Sequence, residues 1–179
     1  MALALDLASK RQREPSDYPY HEEYRTRWAD NDQFSHLNNP IYGVLIDSII
    51  NSYLITQLPQ PYSPQNSPFV GLVANTYCDY FGSCQYPGVL DVGLRVVKVG
   101  RGSVMWEVAF WQDGGSVKVV GGFVQIWVNR STNKVEGEGV PKSIRDGIAP
   151  LLRGSEQDPS TPSSRKADDD TPLNKTAKL

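Results

Sequence analysis

The sequence has few of the residues from which metal clusters and disulfide frameworks are built. Its 179 residues include only two cysteines, Cys78 and Cys84, and two histidines, His21 and His36. These numbers exclude a zinc cluster or a dense disulfide framework, and a reducing compartment fits best. The formal net charge of -2 argues against attachment to nucleic acid or to an anionic membrane by bulk charge. We therefore expect no metal and no nucleic-acid partner.

Long apolar runs are also lacking. The best candidate, Ile41 to Leu58, is interrupted by Asp47, Asn51 and Ser52, whereas roughly 18 to 20 apolar residues are needed to cross a bilayer. We expect a soluble protein with no membrane partner. The length and the 39% hydrophobic fraction suit one globular core.

The two ends of the chain differ in composition from its middle. Residues 154–179 contain no aromatic, Ile or Val residue, so they cannot bury enough apolar surface to offset the entropy of ordering them. We predict a flexible N-terminal arm over residues 1–19, one domain over residues 20–153 and a disordered tail over residues 154–179. A mitochondrial presequence at the N-terminus is disfavoured, because Asp6 and Glu14 are acidic.

Hydrophobic periodicity predicts one strand and one long helix, and segments rich in Val, Phe, Tyr and Trp between turn signals predict four more strands. Residues Tyr20 to Trp28 alternate as a half-buried strand does, with Tyr20, Tyr24, Thr26 and Trp28 on one face. Apolar residues recur at helical spacing from Pro40 to Gln57, with Asn39 as the N-cap. The other predicted elements are strands over Phe69 to Phe81, Val89 to Val99, Ser103 to Asp113 and Val117 to Asn129, and a short closing helix within Pro141 to Leu152.

This order predicts a helix of about 27 Å lying on one face of an antiparallel sheet. The other face or an edge then needs a partner, and Trp106, Trp111 and Trp127 are available to contact it. We therefore expect an oligomer. The pair Gly121-Gly122 suggests a bulge, a close approach of a backbone or ligand, or a tolerated packing position.

The loop before the long helix concentrates the candidate chemistry: Asp30, Asp32, His36 and three asparagines. A helix N-terminus offers unpaired N–H groups that polarise a carbonyl or hold an anion. A nearby carboxylate acts as a base or nucleophile on the same carbonyl. A polar capping loop without chemistry explains these residue types equally well. We expect Asp30 to be structural, paired with Arg25 or Arg27.

The same loop resembles the motif of a known family. Arg27, Asp30 and Asp32, followed by His36-Leu37-Asn38-Asn39 and Tyr42, are similar to the D-x-D-x-x-G-H-V-N-N pattern of hotdog-fold acyl-CoA thioesterases of the 4-hydroxybenzoyl-CoA thioesterase type. The likeness continues through Val73-Ala74 to Asp79-Tyr80, the Val97 to Ser103 hairpin and the strand end at Val124 to Arg130. It implies an α+β hotdog fold, with one long central helix wrapped by a curved antiparallel sheet of about five strands, and a homodimer or homotetramer.

The resemblance also implies an activity, the hydrolysis of an acyl-CoA thioester to a carboxylic acid and free CoA. No cofactor is implied beyond the coenzyme A of the substrate. Asp32 aligns with the family's catalytic carboxylate, as a general base or a nucleophile. Backbone N–H groups of Asn38 and Asn39 align with the donors that polarise the carbonyl. His36 matches a catalytic histidine of plant acyl-carrier-protein thioesterases, and a role in ordering the loop stays open.

The resemblance further implies residues that bind the substrate. Arg95, Lys98 and Arg101 lie where related enzymes place basic residues against the nucleotide phosphates of CoA, and both residue types suit phosphate. Asn75 or Thr76 would orient the attacking water.

Three positions depart from the family pattern: Phe34, Ser35, where glycine is common, and Asn75, where many members have an acidic residue. Two other functions stay open. A hotdog enoyl-CoA hydratase usually has a G-D-x-N-P-x-H pattern, which the stretch from Asp32 to His36 does not match. A non-catalytic acyl-CoA-binding module is suggested by Asn75 and Phe34.

The final tripeptide, Ala177-Lys178-Leu179, resembles the Ser-Lys-Leu class of peroxisomal addresses. We expect a peroxisomal location and an import receptor that binds Ala177, Lys178 and Leu179. A cytosolic protein with an accidental ending is the open alternative.

Overall fold

A computed structural model describes residues 6–137 and 139–153 of the chain. The predicted disordered tail and the final tripeptide lie outside the described residues. The helices are α1 (Leu7–Lys10), α2 (Asn39–Thr56) and α3 (Lys142–Ile148), and the strands are β1 (Tyr20–Arg25), β2 (Phe69–Tyr80), β3 (Val89–Val99), β4 (Ser103–Gln112) and β5 (Val119–Asn129). Three 3-10 helices cover Pro15–Asp17, Trp28–Asp30 and Ala149–Leu151. No helix among the described residues has the length and apolar character needed to span a membrane.

The five strands form one antiparallel sheet in the order β1-β3-β4-β5-β2. Helix α2 packs on one face of this sheet, which we call the inner face, and the main core lies between them. The arrangement is the α+β architecture expected from the hotdog resemblance. Strands β1 and β2 are the two edges of the sheet within one chain.

The apolar stripe of α2 explains why this segment lies on the sheet. The predicted helix is confirmed to within one residue at each end, and its buried residues are Tyr42, Leu45, Ile46, Ile49, Ile50, Tyr53 and Leu54. Pro40 lies in the first turn, where a missing N–H costs nothing. The N-cap is Asn38 rather than Asn39, and its side chain makes no capping hydrogen bond.

The first strand is shorter than the alternation predicts. It ends at Arg25, and the following 3-10 helix leaves Trp28 80% exposed instead of on the predicted face of the strand. The cause is local: the Asp30 carboxylate accepts hydrogen bonds from both the backbone and the side chain of Arg27, which bends the chain out of the strand. The other four strand predictions are confirmed with ends that differ by no more than two residues.

The tryptophans expected to meet a partner are buried within the chain. Trp106 and Trp127 belong to the inner core, because their strand positions point toward α2. Trp111 points to the outer face, where Tyr18 covers it edge-on at 5.3 Å between ring centroids. Residues 6–19 of the predicted flexible arm thus pack against the outer face of the sheet, with Lys10 and Tyr18 buried.

The Gly121-Gly122 pair marks a close approach of backbone rather than a bulge. A Cβ atom on Gly122 would lie 2.0 Å from the carbonyl oxygen of Trp106. Pairing with β2 is regular there, and the irregularity of β2 lies between Val73 and Asn75. Glycine is therefore required at residue 122 by the neighbouring strand.

Candidate active site

A tight turn positions the Asp32 carboxylate. The backbone N–H of Asp32 donates to the carbonyl of His36 at 2.7 Å, and Asp32 Oδ1 accepts from the backbone N–H groups of Phe34 at 2.7 Å and His36 at 3.1 Å. Ser35 completes the turn in the left-handed region, at a φ of 62°. The Oδ2 atom accepts no hydrogen bond from the described residues. One carboxylate oxygen is thus held by the turn while the other stays available to a ligand.

The turn opens into a groove of about 450 Å³. The groove is lined by Asp32, His36, Leu37, Asn39, Tyr42, Tyr80, Gly82 and Ser83. The rings of Tyr42 and Tyr80 meet edge-on at 5.6 Å between centroids. Burial raises the pKa of Tyr42 well above its usual range and the adjacent Cys84 acts in the same direction, so this phenol stays neutral at physiological pH.

The start of α2 supplies the carbonyl-polarising donors that the resemblance implies, but only part of the expected set is free. The N–H of Asn38 donates to the carbonyl of Asp30 at 2.8 Å, so it is not available to a substrate in this conformation. The N–H of Asn39 has no acceptor among the described residues. The helix also lacks a side-chain cap, and Asn39 lines the groove. The positive end of the helix therefore faces the groove at Asn39.

Asp30 is structural, as expected, and its partner is Arg27. The guanidinium contacts Asp30 Oδ1 at 2.7 Å, and the Tyr24 hydroxyl donates to Oδ2 at 2.9 Å. Burial alone would raise the pKa of this carboxyl, but the hydrogen bonds from Arg27 and Tyr24 outweigh that effect and lower it. Asp30 is therefore a charged anchor beneath the turn.

The predicted phosphate-binding residues do not gather beside Asp32. Arg95 is 6% exposed on the outer face, where its guanidinium lies 2.7 Å from Glu107 Oε1, so it is a structural residue and not a free phosphate ligand. Lys98 and Arg101 are exposed near the β3–β4 turn. The Asp32 loop follows β1 at the opposite end of β3, and an eleven-residue strand spans roughly 33 Å.

Asn75 and Thr76 are exposed in the middle of the edge strand β2. They lie about 17 and 14 Å, respectively, along the strand from Tyr80, the β2 residue that lines the groove. Within one chain the structure therefore brings together Asp32, His36 and Asn39, but not Asn75 or Thr76. Sequence reasoning missed Tyr80 and Ser83 as groove residues, although the alternation of β2 gave Tyr80 the same face as Cys78.

The described residues contain no group of three or more His, Cys, Asp and Glu side chains that could hold a metal ion. Cys84 is fully buried beside Tyr42, and burial raises the pKa of its thiol. Neither property suits a nucleophilic thiolate.

Comparison with known proteins supports the assignment of the fold. The thioesterase superfamily matches residues 34–119, a span that begins two residues after Asp32. The PA5185 protein from Pseudomonas aeruginosa is 32% identical, with a TM-score of 0.70 over 77% of this chain and 94% of that one. No curated protein sequence matches significantly.

Two solved thioesterases have the same fold at lower identity. One is a thioesterase from Thermus thermophilus in complex with coenzyme A and Zn, 24% identical, with a TM-score of 0.62 over 75% of this chain and 95% of that one. The other is the BH1999 gentisyl-coenzyme A thioesterase, 18% identical, with a TM-score of 0.62 over 73% of this chain and 99% of that one. This chain has the hotdog thioesterase fold and belongs to the thioesterase superfamily.

Proposed function

We propose that this protein hydrolyses an acyl-CoA thioester to a carboxylic acid and free CoA. The observation that carries the proposal is the groove in which the Asp32 carboxylate and the uncapped start of α2, at Asn39, face the same space. A carboxylate beside free N–H donors is the arrangement that acyl transfer from a thioester needs. The likeness of residues 30–39 to the 4-hydroxybenzoyl-CoA thioesterase type supports the same chemistry.

The solved relatives support CoA as the carrier. One of them is a thioesterase bound to coenzyme A, and another is named for a CoA thioester. Lys98 and Arg101 remain the candidate phosphate ligands of the proposal. They lie far from Asp32 in one chain, so the proposal assigns them to the groove of a second copy of this chain.

In the proposed reaction, the thioester carbonyl accepts a hydrogen bond from the N–H of Asn39, which stabilises the oxyanion as the carbon becomes tetrahedral. One such donor is typically worth about 3 kcal/mol of barrier. Asp32 either removes a proton from the attacking water or attacks the carbonyl itself to form an anhydride that water then opens. The C–S bond breaks, and the CoA thiolate leaves and takes up a proton. In this proposal His36 donates that proton, a role supported by its position in the lining of the same groove.

A homo-oligomer is part of the proposal. Strand β2 is a sheet edge on which Leu72 and Val73 are 50% and 44% exposed, and an apolar edge of this kind is a template for pairing with another strand. Pairing along it would cover Asn75 and Thr76, and would give these residues a place near a partner's groove. The mass of the protein in solution, measured by light scattering, separates monomer, dimer and tetramer.

A thiol-release screen over short, long, branched and aromatic acyl-CoAs tests the proposed activity. We expect free CoA to appear with at least one class of substrate. Loss of the conjugated enoyl absorbance of an enoyl-CoA without thiol release would instead identify a hydratase. Tight binding of CoA thioesters without either signal would identify a non-catalytic binding module.

A further inference from the structure

Alternate side chains at the end of β2 face two different environments. Tyr77, Asp79 and the residue after the strand, Phe81, face the N-terminal arm on the outer side of the sheet, where each contacts an arm residue. Cys78 and Tyr80, between them, face inward, Cys78 against the main core and Tyr80 against Tyr42 in the Asp32 groove. A displacement of this strand end therefore moves a wall of the groove.

The arm contacts this end of the strand from the outer face of the sheet. The Lys10 ammonium lies 2.6 Å from Asp79 Oδ2 and 4.2 Å from the centre of the Tyr77 ring. The Arg11 guanidinium lies 5.3 Å from the centre of the Phe81 ring. Lys10 is only 3% exposed. Because a buried ammonium is costly unless it is paired, these contacts define one position for the strand end.

The other end of the arm is fixed to the middle of the sheet. Glu107, 2% exposed on β4, accepts from Arg13 at 3.2 Å and from the Tyr18 hydroxyl at 2.8 Å. Arg95 of β3 completes this buried cluster. The arm thus links β3 and β4 to β2, an edge strand that, among the described residues, otherwise pairs only with β5.

We propose that Lys10 is a positioning residue of the candidate active site. Its ion pair with Asp79 holds the end of β2, and through it the Tyr80 ring, at the groove wall that Asp32 faces. The consequence for substrate rests on the proposed function, whereas the coupling of the arm to the strand end does not. Because Tyr80 lies on the groove wall and not on the Asp32 turn, we expect the coupling to act on substrate affinity and not on the reacting atoms.

The test compares Lys10→Met with Lys142→Met, which removes an exposed ion pair with Asp146 in α3. In Lys10→Met we expect KM for the best acyl-CoA to rise about tenfold, with kcat changed by less than about twofold. Amide hydrogen exchange of residues 77–82 should become faster in the same variant. Lys10→Arg should restore both values, and Lys142→Met should leave both unchanged.

Asp79→Asn tests the same pair from β2, without emptying the space that the lysine stem fills. It should reproduce the rise in KM, and the double variant should be no worse than either single one. Unchanged KM and unchanged exchange in both variants would overturn the inference. A fall in kcat at constant KM would also overturn it, because that result reports only a loss of folded protein. A wild type that releases no thiol would reject the proposed function, and exchange at residues 77–82 would still decide whether the arm positions β2.

Discussion

Asp32 and His36 are joined twice, through the Asp32 N–H bond to the His36 carbonyl and the His36 N–H bond to Asp32 Oδ1. The two hydrogen bonds close the turn before α2 and aim Asp32 at the groove. The four-residue spacing of this pair thus has a structural reason: it lets a carboxylate cap its own turn and keep one oxygen free. The same turn brings His36 to the groove beside Asp32.

Ser35 is in a left-handed conformation that glycine adopts without cost, and this explains why glycine is common there in the family that the motif resembles. Ser35→Gly should therefore raise the free energy of unfolding by up to about 1 kcal/mol. Ser35→Ala retains a Cβ atom and should give no gain. Urea unfolding of the three proteins measures the difference, and equal stabilities for the glycine and alanine variants would contradict the strain argument.

Asp30 should contribute stability that depends on pH. Its folded-state pKa is lowered, whereas the unfolded value is about 3.9. The contribution is therefore present above about pH 4 and is lost as the pH falls through the folded-state pKa. Asp30→Asn should lower the free energy of unfolding by about 1 to 3 kcal/mol at pH 7, and the gap to wild type should narrow at pH 3. A gap of the same size at both pH values would contradict this assignment.

His21 should show the opposite dependence on pH. Its Nδ1 lies 2.6 Å from Asp91 and its Nε2 contacts the carbonyls of Pro15 and Tyr18, so both nitrogens face acceptors. Burial lowers the pKa of His21, but these hydrogen bonds outweigh it and the net shift is upward. Stability from His21 is thus present below about pH 6.5 and lost as the pH rises through the folded-state pKa.

Because the chain has only two histidines, an NMR titration of the imidazole signals measures the pKa of His21 directly. The His21→Gln variant assigns the two signals. We expect the His21 signal to titrate above the ordinary range. The stability advantage of wild type over His21→Gln should shrink from pH 6 to pH 9. An ordinary pKa together with a constant advantage would show that the imidazolium does not hold the arm.

Most of the fold follows from local patterns in the sequence. The stripe of α2, and for β3 and β4 the β-forming residues between turn signals, predict their bounds within one residue, because these patterns act over short distances. The outer face was not predictable in this way. The arm that covers Trp111 is polar, and its position depends on the pairing of Lys10 and Arg13 with acidic residues about 70 and 94 positions away in the chain.

The candidate site shows the same contrast between features that follow from local sequence and features that depend on distant residues. Asp32, His36 and Asn39 come together because they belong to one turn and one helix start. The N–H of Asn38 is not free, because it donates to the carbonyl of Asp30. The spacing of residues in the sequence alone does not reveal this contact. The sequence suggests that Arg95 is a surface cation, because its partner Glu107 lies on another strand.

The most direct test of the account is thiol release by Asp32→Asn on the best acyl-CoA from the screen. The amide oxygen can still accept the hydrogen bonds from Phe34 and His36, so the turn is kept while the base and nucleophile are removed. We predict that kcat falls by about 100-fold to 10,000-fold, with an unchanged unfolding midpoint in urea. Undiminished thiol release by a folded Asp32→Asn variant would contradict the central role of this carboxylate.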